Sequence, residues 1–183
     1  MIYYYRYNYK NALLNLYFNS IIRHTIDYLK YIKAKVILDY GCGTGQLKIK
    51  YKEVKVYNYD KDTTLKNIDI IYLNKLNFKF DAVVFNHVLQ YFFKEDFRNL
   101  LKFLKKNNIK NVVITSGKQN FLSRIVSYCF LYLKAHSGTI CSYEYQKKWI
   151  KKHFTVIKSS DIFFINTIFL LRLKWKLKEI NIN

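Results

Sequence analysis

Apolar residues recur along this chain at two spacings, and each spacing predicts its own kind of element. From Asn11 to Ile32 they fall at Leu13, Leu14, Leu16, Tyr17, Ile21, Ile22, Ile26 and Leu29. Steps of three and four predict an amphipathic helix that covers a sheet, with a break near Asn19-Ser20. Asp96 to Lys106 repeats the pattern through Phe97, Leu100, Leu101, Phe103 and Leu104. Gln46 to Tyr51, Phe121 to Leu133 and Ser142 to Lys152 also read as helical. Between them stand short apolar or β-branched runs that read as strands: 35–38, 54–60, 68–73, 80–86 and 111–117. The stretch from Lys61 to Asn67 is too short for a full helix, so one crossover is thin. The chain closes with Phe154 to Lys158, a turn at Ser159-Ser160-Asp161, and Ile162 to Trp175, which reads as a β-hairpin. Strands alternating with helices predict a doubly wound α/β fold. Its seven-stranded sheet is mainly parallel, with an antiparallel last strand.

Composition narrows the class. With 183 residues, 51% hydrophobic and 19% aromatic, the chain suits one folded domain with a proper core. No apolar run is long enough to span a bilayer, and the start, Met1-Ile2-Tyr3-Tyr4-Tyr5-Arg6, lacks the layout of a signal peptide. Three cysteines, Cys42, Cys129 and Cys141, are odd in number and not spaced as zinc ligands, so a reducing cytoplasm is expected and no metal. The net charge of +20 would attract nucleic acid or an anionic surface. Its weight is reduced because the chain lacks proline and is heavy in Lys, Ile, Asn and Tyr, as AT-rich coding produces, and because the lysines are spread along the whole chain.

The candidate chemistry sits at Val36-Ile37-Leu38-Asp39-Tyr40-Gly41-Cys42-Gly43-Thr44-Gly45. A buried strand ends on a carboxylate, and then three of the chain's five glycines alternate. Glycine lets a turn be tight and lets backbone approach a ligand closely. The N–H groups of the following helix then point at that ligand. The dinucleotide fingerprint wants a glycine at position 46, where Gln46 stands. A phosphate-gripping P-loop wants Lys-Ser/Thr after its last glycine, where Gln46-Leu47 follows. The run Val54 to Asp60 again ends on a carboxylate, and in doubly wound sheets ligands bind at the carboxyl ends of strands.

The first of these stretches resembles motif I of the class I S-adenosylmethionine-dependent methyltransferases: apolar strand, acid, then Gly-x-Gly-x-Gly. The likeness is to the small-molecule, type 11/12-like members, and it extends over about residues 33 to 176. It implies a Rossmann-like sheet and S-adenosyl-L-methionine as cofactor. Gly41, Cys42, Gly43, Thr44 and Gly45 would approach the cofactor, Asp39 would orient its amino-acid part directly or through water, and Asp60, with Lys61 beside it, would hold the ribose. Many relatives carry an adenine-binding acid after the third strand; none stands here, and adenine falls to Asn74 or to backbone alone. Phe80 to Asn86 followed by His87-Val88-Leu89 resembles the fourth motif in its small-molecule form, and not the Asn-Pro-Pro-Tyr form of amino-nitrogen methylating enzymes. Asn86 and His87 would then lie beside the reacting methyl. A hydroxyl acceptor would need a base, for which His87 and His136 are the candidates.

The resemblance divides the chain into an amino-terminal arm and cover helix (1–32), a cofactor-binding half (33–117), and substrate-side helices with a carboxyl-terminal hairpin (118–183), all in one domain. The expected acceptor is a small molecule. Two alternatives stay open at this level: methylation of RNA or another polyanion, and an inactive cofactor-binding or interaction protein with the same fold.

Overall fold

The sheet of this protein is built from strands whose burial follows their place in it. The computed structural model describes residues 12–70, 72–73, 79–125 and 140–174. Among these, strands β1 (Val36–Tyr40), β2 (Lys55–Tyr59), β3 (Ala82–Asn86), β4 (Asn111–Gly117), β5 (Phe154–Ile162) and β6 (Asn166–Leu173) form one six-stranded sheet in the order β2-β1-β3-β4-β6-β5. The first four pair in parallel; β6 runs antiparallel to both β4 and β5. The central strands are apolar on both faces: all of β3 is buried, as is the whole middle of β4. That is the pattern of strands covered on both sides. Edge strand β2 alternates between buried and more exposed positions, and edge strand β5 is buried only at its two ends.

Helices α1 (Ala12–Tyr31) and α2 (Gln46–Lys50) cover one face. Tyr17, Phe18, Ile21, Ile22, Tyr28 and Leu29 of α1 pack there with Leu47 against Ile37, Val84, Val113 and Ile168. Helices α3 (Lys94–Lys106) and α4 (Tyr143–His153) cover the other face, with Phe97, Leu100, Leu104, Trp149 and Ile150 against Leu38, Val83, Val112 and Leu171. Neighbouring residues of one strand thus serve opposite cores, as the pleat requires. Ser142 caps α4, its hydroxyl accepting from the Tyr145 N–H at 3.2 Å.

Three sequence expectations are corrected. First, α1 runs unbroken through Asn19 and Ser20. Both are half-exposed, and the Asn19 side chain bonds to Asn15 and to Lys50, so it does not compete for the helix backbone. Second, the expected third strand at 68–73 contracts to a single parallel bridge between Tyr59 and Ile70, which leaves six strands among the described residues instead of seven. Asp69 and Asn67 suit turns better than strands. The Asp69 carboxylate itself takes the Asn58 N–H at 2.8 Å, where a strand partner would offer a carbonyl. Third, the hairpin turns at residues 163–165 and not at Ser159-Ser160-Asp161. Those polar residues continue β5, opposite Phe169, Ile168 and Thr167. An edge strand has solvent for them, and Ser160 and Asp161 bond to Tyr28 and Thr167.

Candidate cofactor and acceptor site

The loop after β1 holds its shape through backbone angles that favour glycine. Gly41, Gly43 and Gly45 have φ of +73°, +54° and +70°. The Gly41 and Cys42 N–H groups donate to the Tyr59 carbonyl at 2.7 and 3.1 Å, which ties the loop to the end of β2. The Gly43 N–H donates to Asp60 Oδ2 at 3.0 Å, and Asp60 Oδ1 accepts from the Asp62 N–H at 3.1 Å. The three glycines differ in what surrounds them. A Cβ on Gly41 would lie 2.5 Å from Val88 Cγ2, and one on Gly45 would lie 2.6 Å from Asn58 Nδ2. A Cβ on Gly43 would meet nothing within 4 Å. Gly41 and Gly45 therefore serve close packing within the protein, and Gly43 presents bare backbone to open space.

Under the loop lies Asp39, only 4% exposed. Among the described residues no donor hydrogen-bonds its carboxylate. Burial, and then the charge of Asp60, push its pKa up to about 7. Next to it, burial and the charges of Asp39 and Asp60 push the Cys42 thiol up, so it is no nucleophile. Thr44 Oγ1 is buried without a hydrogen-bond partner among the described residues. A buried acid lacking a cation, a buried hydroxyl lacking a partner and an open backbone step stand within the six residues from Asp39 to Thr44. That donor set fits a ligand with an ammonium group and further polar atoms. Lys61, by contrast, is exposed and reaches to Asp96 at the start of α3, 3.3 Å away.

The other half of the site lies at the ends of β3, β4 and the start of β6. Asn86 is buried, and its Oδ1 accepts from Thr25 Oγ1 at 3.2 Å and Thr115 Oγ1 at 2.9 Å. One bond ties α1 to the sheet, and the other ties β3 to β4. His87 follows with φ +58°, a strained angle for a residue with a Cβ. Its Nε2 lies 3.5 Å from Tyr17 Oη, which the Asn166 amide also meets. Gln90 Nε2 is buried with no hydrogen-bond partner among the described residues, and Gln90 Oε1 and Asn166 Oδ1 both lie against Gly117. These side chains are polar, mostly buried and, except for His87, uncharged at any ordinary pH. Asn74 and His136 lie outside the described residues.

Sequence reasoning missed Tyr17, Thr25, Gln90, Thr115 and Asn166. Tyr17 belongs to the apolar stripe of the expected cover helix, and Thr25 stands beside that stripe with no sequence signal of its own. Asn166 follows the misplaced hairpin turn. Only the fold places Thr25: a buried hydroxyl needs a partner, and here it finds two, the Ile21 carbonyl and Asn86.

No family model matches the chain, and no curated protein does. Solved structures do. The magnesium protoporphyrin IX methyltransferase from Synechocystis PCC 6803 with bound SAH aligns with a TM-score of 0.62 at 14% identity, over 93% of this chain and 91% of that one. A SAM-dependent methyltransferase from Archaeoglobus fulgidus aligns at 0.60 and 15% identity, over 84% and 93%. The 16S rRNA methylase ArmA aligns at 0.58 and 18% identity, over 90% and 88%. The acceptors named in these descriptions range from a porphyrin to ribosomal RNA. At such identities the likeness is one of architecture, and the chain has the class I methyltransferase fold.

Proposed function

We propose that the protein is an S-adenosylmethionine-dependent methyltransferase that acts on a small-molecule acceptor. The observation that carries the cofactor half is the pairing of Asp39, a buried carboxylate with no partner among the described residues, with the open backbone at Gly43. When bound, the cofactor would supply a methyl group on a positively charged sulfur that is already a good leaving group. Asp39 would take its ammonium group, the loop from Gly41 to Gly45 would lie along it, and Asp60 would add a ribose hydroxyl to the bonds it already makes. A carboxylate has lone pairs for that.

The remaining work of the protein is placement, since alignment of two reactants is itself worth several kcal/mol. Tyr17, His87, Gln90 and Asn166 form a hydrogen-bonding wall closed over by α1, which suits a small polar acceptor better than a bulky one. If the acceptor reacts through a hydroxyl, His87 is the described residue that would hold its proton. The free thiols of Cys42 and Cys141 agree with a reducing cytoplasm as its place of work. No helix among the described residues is long and apolar enough to cross a membrane.

Calorimetry with S-adenosylhomocysteine tests the cofactor half. Binding by the wild type that is lost in Asp39→Asn supports it, and a wild type that fails to bind overturns it. A screen of small hydroxyl and amine compounds with methyl-labelled cofactor tests the acceptor half.

A further inference from the structure

Lysines that are scattered along the sequence are gathered by the fold. In a sheet of this topology the amino-terminal ends of β1 to β5 and the carboxyl-terminal end of β6 share one edge, opposite the glycine loop. Taken in spatial order from β2 to β5, each strand delivers a lysine there: Lys52, Lys33, Lys79, Lys110, Lys174 and Lys152. None of the six is in an ion pair among the described residues. The segments leading into β1 to β5 contain two described acids, and both are occupied: Asp81 Oδ2 accepts from the Lys35 and Val36 N–H groups, and Glu53 pairs with Lys30. Around β1 and β2 the edge is a shallow, open depression lined by Lys33, Lys35, Lys52 and Lys55 with Tyr51 and the Lys30–Glu53 pair. Toward β5, burial together with the charges of Lys152, Lys105 and Lys174 lowers the pKa of His153, a sign that positive potential accumulates there.

We propose that this edge is a docking track for the phosphate backbone of a nucleic acid. Six strands at about 4.8 Å spacing make a row of roughly 24 Å, which matches a line of phosphates more naturally than a compact acidic ligand. A membrane surface fits less well. The most exposed large apolar side chains, Phe121 and Phe164, lie at the opposite edge, and here the exposed Tyr31 ring is covered by Lys158 Nζ at 3.6 Å. The track is separate from the methyl-transfer site. Strands of five residues put the two edges about 17 Å apart, so the row tethers the protein and does not itself present a base to His87. Lysine contacts to phosphates carry no sequence information, so binding through this row is independent of sequence.

Fluorescence anisotropy of the full chain with a labelled B-form DNA duplex, titrated at several salt concentrations, tests the track. The logarithm of affinity is expected to fall with the logarithm of salt at a slope of about −5, close to six phosphates at about −0.9 each. Lys33→Gln, Lys79→Gln and Lys110→Gln together are expected to reduce that slope by about 3. A control triple of equal charge change, Lys66→Gln with Lys94→Gln and Lys148→Gln, is expected to change it by less than about 1. Equal losses in both triples would mean a net-charge effect and overturn the proposal. So would an unchanged slope in the edge triple, or tighter binding to anionic lipid vesicles than to the duplex. S-adenosylhomocysteine calorimetry on the edge triple should match the wild type. If neither binds the cofactor while the duplex behaves as expected, the methyltransferase reading fails and the track stands.

Discussion

The Gly43 N–H and the Asp60 carboxylate meet at 3.0 Å, so the acid at the end of β2 holds the loop at the end of β1. Asp60 thus has a structural duty before any ligand arrives. Asp60→Ala is expected to weaken S-adenosylhomocysteine binding by about 1–3 kcal/mol, the scale of hydrogen bonds to a charged acceptor, and to lower the melting temperature as well. Asp60→Asn keeps one acceptor oxygen and should lie between. Calorimetry and thermal melting on the same samples check both. An Asp60→Ala protein with wild-type affinity and wild-type melting would remove Asp60 from the site.

Gly41 and Gly43 should respond differently to the same substitution. Gly41→Ala puts a Cβ 2.5 Å from Val88 at φ +73° and should destabilise the fold by more than the 1–2 kcal/mol of the backbone angle alone. Gly43→Ala meets only the backbone cost, at φ +54°, and leaves a better folded protein. Its new methyl group occupies the space left for a ligand, so cofactor affinity should drop at least tenfold. Urea melts separate the two variants, and calorimetry on Gly43→Ala decides whether the open space belongs to the cofactor.

The glycine loop was legible in the sequence because its glycines cluster and its flanking strand is apolar throughout, a local signal. The mainly parallel sheet with an antiparallel last strand was legible for a similar reason: most buried strands announce themselves as short apolar runs between helices. What the sequence hid was set by contacts between distant segments. The third strand reads from Ile68 to Leu73, yet the Asp69 carboxylate bonds to the Asn58 N–H, and among the described residues the pairing is one bridge at Ile70. Ser159-Ser160-Asp161 has turn chemistry, but pairing with β6 and the bonds to Tyr28 and Thr167 keep it extended. The partners of Asn86 come from 61 and 29 residues away, so no local pattern could name them. The row of lysines is the same kind of fact, invisible along the chain and evident once the strands are in order.

Asp39 makes stability depend on pH in a direction opposite to most carboxylates. Its folded pKa is raised to about 7 from 3.8. The folded state therefore binds the extra proton between those values, and stability falls as pH rises through that window. Asp39→Asn should remove the penalty. Its advantage over the wild type should be near zero at about pH 4 and grow to a few kcal/mol above pH 7. Urea denaturation across that range measures it. An ammonium group on Asp39 would favour the ionised form, so S-adenosylhomocysteine should bind more tightly as pH rises toward 7 and release a proton at pH 6. Comparing binding heats in two buffers of different ionisation enthalpy detects that proton.

The hairpin between β5 and β6 offers a test of stored strain. The Ile165 N–H donates to the Ile162 carbonyl at 3.1 Å, closing a β-turn within the three-residue connection 163–165. Its central residues, Phe163 and Phe164, have φ of +50° and +59°. Positive φ at both positions is the type I′ pattern, which glycine and asparagine favour and phenylalanine does not. The two rings differ. Phe163 lies 6.1 Å from the Tyr17 ring, so its contacts offset part of its strain. Phe164 is 72% exposed and has little to lose. Phe164→Gly relieves about 1–2 kcal/mol of backbone strain and gives back about 0.5–1 kcal/mol in chain entropy. The net gain, roughly 0.5–1 kcal/mol, should raise the melting temperature by about 1–4 °C for a chain of this size. Phe163→Gly should gain less or lose, because the Tyr17 contact goes with the ring. If Phe164→Gly instead melts lower than the wild type, the exposed ring has a packing role in solution, and the strain at this turn is retained for it.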